Sequence, residues 1–406
     1  MSALGHITVL DLSRVLAGPW ASQTLGDLGA EIIKVERPGE GDDTRHWGPP
    51  WLADGEGQPT GDAAYFLATN RNKKSVTVDF TKAEGQAIVR QMAARADILI
   101  ENYKVGGLAR YGLDYDSLKE VNPRLIYCSI TGFGQTGPYA ARPGYDLLLQ
   151  GMGGLMSITG GKAGTPGGGP QKVGVAVVDL LTGLYGAVGI LAALAARERT
   201  GRGQHIDLAL LDVETACLAN QASNFLVSGV SPTRMGNAHP NIVPYQDFQT
   251  QDGFMIVAVG NDSQFRSLCQ VLERPEWGND PDYATNAARV ARREVLIPLI
   301  EAITLTRPTA VWIAALEAAN VPGGPINTIA QVFDDPQVRA RGLHQDLDHA
   351  AGGTAPTVAS PLRLSDTPVQ YRHGPPTLGQ HTEEVLGETL GLSGDDIAGL
   401  RAQGVI

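Results

Sequence analysis

Short apolar runs alternate with helical patterns through the first 130 residues, and this alternation constrains the fold more than any other feature. Runs typical of strands occur at ITVLDL (7–12), EIIKVE (31–36), SVTVDF (75–80), DILIEN (97–102) and LIYCSIT (125–131). Helical patterns separate them, for example at residues 20–29 and 82–96. Strands that alternate with helices pair in parallel, with helices on both faces of the sheet. The sequence therefore predicts an α/β fold with a mostly parallel sheet.

The composition supports a large core and limits the classes of partner. The chain has 406 residues, long enough for two domains, and its 43 acidic against 32 basic residues give a net charge of −11. Such a chain does not favour nucleic acid or a membrane surface as its main partner. The three cysteines form no CxxC pair, the histidines are dispersed, and the N-terminus has no signal-peptide pattern. We therefore expect a cytoplasmic protein without a metal site.

The later part of the chain changes character. Residues 132–172 are rich in glycine and proline and predict a long loop around a short helix, which is typical of functional or mobile segments. From about residue 229 the sequence is polar and broken by prolines, and it then returns to a strand pattern at FMIVAVG (254–260) followed by helices. This change indicates a second domain.

A single carboxylate lies inside the apolar stretch VGVAVVDLLTGLYGAVGILAAL, residues 173–194. The pattern predicts a buried strand followed by a helix with closely spaced glycines, rather than a membrane span, and it places Asp179 at the junction. Asp179 then has two interpretations. It is a helix N-cap, or it is a nucleophile, because a carboxylate ionised at neutral pH attacks an activated carbonyl without a general base. The residues alone do not decide between them.

Basic residues flank several predicted strands and form a second candidate site. Arg37 follows the second strand, where dinucleotide folds use an arginine to accept an extra ribose phosphate, although a solvated surface charge is the simpler interpretation of this residue alone. Other basic residues occur in NRNKKS (70–75) and ENYKVGGLARYG (101–112). In an acidic protein, several basic residues at the rim of one sheet indicate a polyphosphate ligand. The expected group is Arg37, Arg71, Lys73, Lys74, Lys104 and Arg110.

Collinear motifs cover nearly the whole chain. They include LDLSRVLAGPWASQTLGDLGAEIIKVERPGEGDDTR, NRNKKSVTVDF, ENYKVGGLARYGLDY, RPGYDLLLQGMGG, VVDLLTGLYGAVGILAALAARERTGRGQ and GQHTEEVL. Through these motifs the chain resembles the class III coenzyme A transferases, the group of formyl-CoA transferase and, more distantly, α-methylacyl-CoA racemase. The resemblance implies a large Rossmann-like domain from residues 1–225 and 331–406, a smaller α+β domain from residues 226–330, and an interlocked homodimer.

The resemblance also implies residue roles. Asp179 matches the catalytic aspartate. The segments that would line the coenzyme A site contain Leu16, Ala17, Arg37, Asn72, Lys73, Lys74, Asn102, Tyr103 and Arg110. The phosphate met by Arg37 would then be the 3′-phosphate of coenzyme A. A coenzyme A thioester and a small carboxylic acid are the expected substrates, with no permanently bound cofactor.

Departures from the family patterns bear on the reaction. The racemase branch has a histidine that moves the α-proton, and here Tyr145 occupies that position in GYD; a group with a reference pKa of about 10 is a poor base at neutral pH. Leu16 stands where formyl-CoA transferase has glutamine, and GNAHPNIVPYQ (236–246) differs from its glycine-rich flap. Tyr145 favours transfer over racemisation, and the resemblance to the branch with HPNIVPYQ-like segments implies transfer of coenzyme A from succinyl-CoA or another small dicarboxyl-CoA, through the family's aspartyl anhydride and aspartyl thioester intermediates. Racemisation of a 2-methylacyl-CoA, or coenzyme A binding without catalysis, are the alternatives.

Overall fold

The computed structural model describes residues 2–406 and divides them into two compact units. The first unit comprises the chain as far as Leu155, then Val173–Ser223 and Gln337–Ile406. The second comprises Met156–Lys172 and Asn224–Pro336. The structure thus places residues 156–172 in the second unit, whereas the predicted boundaries left them in the large domain.

Strands and helices alternate through the first unit, as the apolar pattern predicts, and the ninth to eleventh strands of the chain belong to the second unit. The strands are β1 (Thr8–Asp11), β2 (Glu31–Glu36), β3 (Trp51–Ala53), β4 (Pro59–Ala63), β5 (Lys73–Thr77), β6 (Ile98–Glu101), β7 (Ile126–Thr131), β8 (His205–Ala209), β9 (Tyr245–Gln249), β10 (Phe254–Ala258), β11 (Gly323–Pro325), β12 (His344–Asp348) and β13 (Thr354–Val358). The helices are α1 (Ala17–Asp27), α2 (Ala64–Leu67), α3 (Ala83–Ala93), α4 (Tyr115–Lys119), α5 (Asp146–Met152), α6 (Leu155–Ile158), α7 (Val177–Thr200), α8 (Leu210–Cys217), α9 (Ala219–Ser228), α10 (Asp262–Val271), α11 (Asn286–Ala291), α12 (Arg293–Thr304), α13 (Thr309–Ala318), α14 (Ile329–Asp334), α15 (Pro336–Ala340), α16 (Thr382–Leu390) and α17 (Gly394–Ala402).

Six strands of the first unit form one sheet in the order β5-β2-β1-β6-β7-β8, and every neighbouring pair is parallel. Counted along the chain within this sheet, the order is 3-2-1-4-5-6, which is the Rossmann arrangement. The prediction of a Rossmann-like parallel sheet is therefore confirmed. The strand order reverses between β1 and β6, and open α/β sheets bind ligands in the crevice outside the carboxyl ends of the strands at such a reversal.

Both faces of this sheet are buried. Successive side chains of a strand point to opposite faces, so neighbouring residues of one strand pack into different cores. Leu99 packs into one core with α3, α16 and α17, whereas its neighbours Ile98 and Ile100 pack into a second core with α1 and α7. All three side chains are inaccessible to solvent. The near-continuous apolar runs of the sequence are the consequence of this double burial.

The second unit has its own antiparallel sheet, in the order β11-β10-β9. Its core includes Phe248, Phe265, Leu296 and Trp312, all essentially buried. The predicted strand at residues 254–260 is confirmed as β10, and helices follow it as expected.

The predicted strand before Asp179 is wrong. No strand is present over residues 173–176, and α7 begins at Val177 and continues for 24 residues. β-branched residues lower helix propensity only slightly, so the burial of Val178, Thr182 and Gly186 in the first unit outweighs the strand preference of Val177 and Val178.

Candidate active site

The first turn of α7 lies at the carboxyl edge of the parallel sheet. A helix that leads into a parallel strand returns from the carboxyl edge to the amino edge, and α7 leads directly into β8. Asp179 is the third residue of α7, and the N-cap position belongs to Ala176. The N-cap interpretation of Asp179 is therefore wrong, because its carboxylate lies inside the first turn.

A second carboxylate, Asp146, is close to Asp179 and holds the start of α7. Asp146 Oδ1 accepts a hydrogen bond of 2.9 Å from the amide of Val178, and its Oδ2 accepts one of 2.6 Å from Gln150 Nε2. Asp146 therefore satisfies one of the amides that lack an acceptor in the first helical turn. The GYD motif thus supplies a carboxylate that positions the helix carrying Asp179.

Burial raises the pKa of Asp179 to about 7, and the negative charge of Asp146 contributes to the same shift. A carboxylate removed from water is a stronger base, since desolvation disfavours the charged form. At neutral pH about half of the Asp179 groups are then ionised. The environment is suited to a nucleophile whose charge is lost when it forms a covalent bond to an acyl group.

Two further groups lie within electrostatic range of these aspartates. Burial raises the pKa of Glu214 to about 7 with a smaller contribution from Asp146, and burial together with Asp179 and Asp146 raises the pKa of Tyr65 to about 12. Glu214 fits beside Gly153, where an added Cβ would lie 2.1 Å from its Oε2. The sequence analysis missed Tyr65 and Glu214, because only the fold brings Tyr65 near Asp179 and Asp146, and Glu214 near Asp146.

Close packing of α1 and α7 brings Asp179 to the loop that follows β1. An added Cβ on Gly183 would lie 2.7 Å from the carbonyl oxygen of Ala17, and one on Gly186 would lie 3.6 Å from Ala21 Cβ. The two helices therefore run in the same direction. Asp179, one turn before Gly183 on the same face, lies beside the residues that precede Ala17. Glycines at these positions permit the approach, as their spacing suggested.

Six of the predicted coenzyme A residues lie at this same carboxyl edge. They follow β1, β2 or β6 in the chain: Leu16, Ala17, Arg37, Asn102, Tyr103 and Arg110. Leu16 and Ala17 are buried at the start of α1. The Arg37 side chain is 70% exposed, and its guanidinium pairs with Glu40 at 2.8 Å. The Arg110 guanidinium lies 4.6 Å from the centre of the Tyr111 ring.

An aromatic cluster that the sequence analysis did not single out adjoins these residues. Phe80, which follows β5, makes edge-on ring contacts with Tyr103 at 5.8 Å and with Tyr111 at 5.7 Å. The cluster joins the segments that follow β5 and β6. The sequence signal that could have identified Phe80 as a site residue is its position just after a predicted parallel strand.

The other three predicted coenzyme A residues, Asn72, Lys73 and Lys74, lie elsewhere. They are at the amino end of β5, because Lys73 pairs in register with Ile32 whereas Thr77 pairs with Glu36. At about 3.3 Å per residue, this puts their backbones roughly 13–20 Å from the level of Arg37. The expectation that the basic residues gather at one rim is therefore wrong. Residues before a parallel strand lie at the opposite edge from residues after it.

Their side chains also have internal partners. Lys73 is inaccessible to solvent, and its ammonium donates to Asp11 Oδ2 at 3.2 Å, to the carbonyl of Pro19 and to Asn70. Burial lowers the pKa of Lys73 to about 8 in spite of Asp11. The Asn72 side chain donates to Asp27 and to the carbonyl of Gln370. Lys74 forms ion pairs with Glu31 at 2.9 Å and Glu384 at 2.8 Å.

Within residues 2–406, no group of three or more His, Cys, Asp or Glu side chains is arranged to hold a metal ion. His239, the histidine of the GNAHPNIVPYQ segment, accepts a hydrogen bond of 3.1 Å at Nδ1 from the amide of Asn241. This contact within the loop accounts for the histidine structurally.

Comparisons with known proteins agree with this architecture. A sequence model described as CoA-transferase family III matches residues 4–382. A succinate–glutarate CoA-transferase of Agrobacterium fabrum is 53% identical over 385 residues, 95% of each chain, and a succinyl-CoA:glutarate CoA-transferase of Mus musculus is 43% identical over 100% of this chain and 91% of its own. A CaiB/BaiF family protein from Brucella suis has a solved structure that is 52% identical, with a TM-score of 0.83 over 96% of this chain and 99% of its own. The chain therefore belongs to CoA-transferase family III and is a CoA-transferase.

Proposed function

We propose that the protein transfers coenzyme A from succinyl-CoA to glutarate or a closely similar dicarboxylate. Two relatives whose names specify succinate or succinyl-CoA with glutarate align with essentially the whole chain at 53% and 43% identity. The observation that carries the chemistry is Asp179, a half-buried carboxylate in the first turn of α7 at the ligand-binding edge of a Rossmann sheet.

Asp179 is proposed as the nucleophile. Its carboxylate attacks the thioester carbonyl, the carbon–sulfur bond breaks, and coenzyme A leaves as a thiolate, so that a succinyl–aspartyl anhydride remains. The thiolate then attacks the aspartyl carbonyl, releasing succinate and forming an aspartyl thioester. Glutarate attacks this thioester to give a second anhydride, and the thiolate takes the glutaryl group and restores the carboxylate. The net reaction consumes no water and no proton.

Coenzyme A is proposed to lie along the carboxyl edge, against Leu16, Ala17, Arg37, Asn102, Tyr103 and Arg110. These residues follow β1, β2 and β6, the strands on either side of the point where strand order reverses. The exposed Arg37 guanidinium suits the 3′-phosphate because phosphate and guanidinium form charge-assisted hydrogen bonds. Asn72, Lys73 and Lys74 are left out because their side chains are bound by other residues of the protein: Asn72 by Asp27, Lys73 by Asp11, and Lys74 by Glu31 and Glu384.

A homodimer is proposed from the exposed face of α7. Leu184, Tyr185, Val188 and Leu191 form an apolar stripe on this helix and are 37–61% exposed. By length and composition α7 would also suffice to cross a membrane, although 39% of its most apolar 18-residue stretch is buried inside the protein. Because the opposite face packs on α1, a second copy of the chain is the proposed cover, in a cytoplasmic enzyme. Sedimentation of Val188→Glu against wild type tests this, since a monomeric wild type would contradict it.

The transfer is tested with purified protein, succinyl-CoA and a panel of carboxylic acids, and new thioesters are identified by mass spectrometry. Glutaryl-CoA is expected from glutarate, and Asp179→Asn is expected to reduce turnover by at least about 10⁴-fold, as for other covalent nucleophiles. The control is Asp212→Asn, which changes an exposed first-turn aspartate of α8. Turnover by Asp179→Asn near the wild-type rate would refute the mechanism. Deuterium uptake at the α-carbon of a 2-methylacyl-CoA in heavy water would instead support racemisation.

A further inference from the structure

We propose that Asn102 is a positioning residue whose side chain holds the β1–α1 loop, residues 12–16, in a strained shape beside Asp179. The proposal assigns the Asn102 amide to the protein itself, and it leaves coenzyme A contacts at this position to the backbone. Its kinetic readout rests on the proposed transfer reaction, and a second readout does not.

The strain is at Val15. Its φ is +72°, in the left-handed region that glycine adopts readily and that a β-branched residue rarely adopts. Such conformations persist only where the surrounding structure enforces them, and they concentrate at functional sites. The β1–α1 loop is therefore expected to need external support.

Side chains from three other segments supply that support. Asn102 binds both backbone groups of Arg14: Oδ1 accepts from the amide at 2.9 Å, and Nδ2 donates to the carbonyl at 2.6 Å. The Asp42 carboxylate accepts from the amide of Val15 at 3.2 Å, and the Lys34 ammonium donates to the carbonyl of Ser13 at 2.9 Å. The backbone of three consecutive residues is thus held by side chains from outside the loop.

Among these supports, Asn102 is the one that spans the sheet reversal. It follows β6, whereas Arg14 follows β1, so its two bonds join the loops on either side of the ligand-binding crevice. Its own turn is fixed in addition, because Glu101 Oε2 accepts from the amide of Tyr103 at 2.8 Å. Both polar atoms of the Asn102 side chain already have backbone partners.

The loop is next to the reacting carboxylate. Packing of Gly183 against Ala17 places Asp179 beside the residues before α1. Tyr65 gives a second link, because the charges of both Asp179 and Asp42 act on its hydroxyl, and Asp42 holds Val15. A shift of the β1–α1 loop therefore changes the wall against which the thioester meets Asp179, and misplacement by 1 Å is enough to slow a reaction about 100-fold.

The test combines Asn102→Ala with changes at Val15. Asn102→Ala is expected to lower kcat by about 10- to 100-fold and to change KM for succinyl-CoA by less than about 3-fold, because a positioning defect acts on the transition state. Adding Val15→Gly is expected to restore most of kcat, since glycine holds a positive φ without support. Adding Val15→Ala is the matched control and is not expected to restore it.

Amide hydrogen exchange over residues 12–18 provides the readout that needs no substrate. Asn102→Ala is expected to speed exchange there, whereas Asp212→Asn, at an exposed position of α8, leaves exchange unchanged. A rise in KM with kcat unaltered, no restoration by Val15→Gly, or unchanged exchange in Asn102→Ala would each overturn the proposal. If wild-type protein makes no glutaryl-CoA, the proposed function fails, and the exchange measurement still decides for or against the clamp.

Discussion

Replacing Asp179 with asparagine is expected to stabilise the folded protein increasingly as pH rises. Burial and Asp146 raise the pKa of Asp179 from 3.8 to about 7, so the folded state holds this proton more tightly than the unfolded state. Stability is therefore lost as pH rises from about 4 to 7, where the unfolded chain releases the proton first. At 1.36 kcal/mol per pKa unit, ionised Asp179 destabilises the folded state by up to about 4 kcal/mol above pH 7.

Urea unfolding of wild type and Asp179→Asn at pH 5 and pH 8, at one protein concentration, measures this effect. Applying the two pKa values, the stability of the variant relative to wild type should grow by about 2.5 kcal/mol between these pH values. Any constant effect of the buried amide cancels in that comparison. Asp212→Asn, at an exposed position, should show no such growth. If the stability difference between Asp179→Asn and wild type does not change with pH, the conclusion that the Asp179 carboxylate is shielded from water and lies near the negative charge of Asp146 is refuted.

Four other variants examine the packing and the ligand edge. Lys73→Met should lower the free energy of unfolding by about 3–5 kcal/mol in urea titrations, because it leaves the buried carboxylate of Asp11 without its ion pair. Gly183→Ala should lower thermal stability, by about 1–3 kcal/mol for an overpacked contact, whereas Gly189→Ala, whose added Cβ would make an ordinary contact at 3.5 Å, should be neutral or stabilising. Arg37→Ala should raise KM for succinyl-CoA about tenfold or more in steady-state kinetics with little change in kcat, since a charge-assisted hydrogen bond contributes about 1.5–3 kcal/mol.

The apolar patterns predicted the sheet of the first unit because its strands are buried on both faces and leave an unambiguous signal. They failed before Asp179, where β-branched residues at 175–178 suggested a strand. The packing of α7 against α1 favours the helix there, and that contact is between segments more than 150 residues apart, beyond the reach of local propensity.

The basic residues show a different kind of failure. The sequence correctly placed Arg37 after β2, and it placed Lys73 just before the strand that in the structure begins with Lys73. Their separation at opposite edges follows from parallel pairing, which the sequence analysis had already predicted but did not apply. Burial and the ion pair with Asp11 then remove Lys73 from the surface altogether.

The sequence by itself determined the α/β class, the family and the selection of Asp179 as the candidate nucleophile, because these depend on local periodicity and on motifs that are continuous in the chain. Only the tertiary structure decided which groups lie near Asp179: Asp146 and Tyr65 come from other segments of the chain and interact with it electrostatically, and Glu214 lies near Asp146. It likewise revealed the strained Val15 and the hydrogen bonds of Asn102, since a backbone angle forced by distant side chains has no signature in the residue itself. Such contacts depend on how the chain packs in three dimensions, and that packing gives the carboxylate of Asp179 its raised pKa.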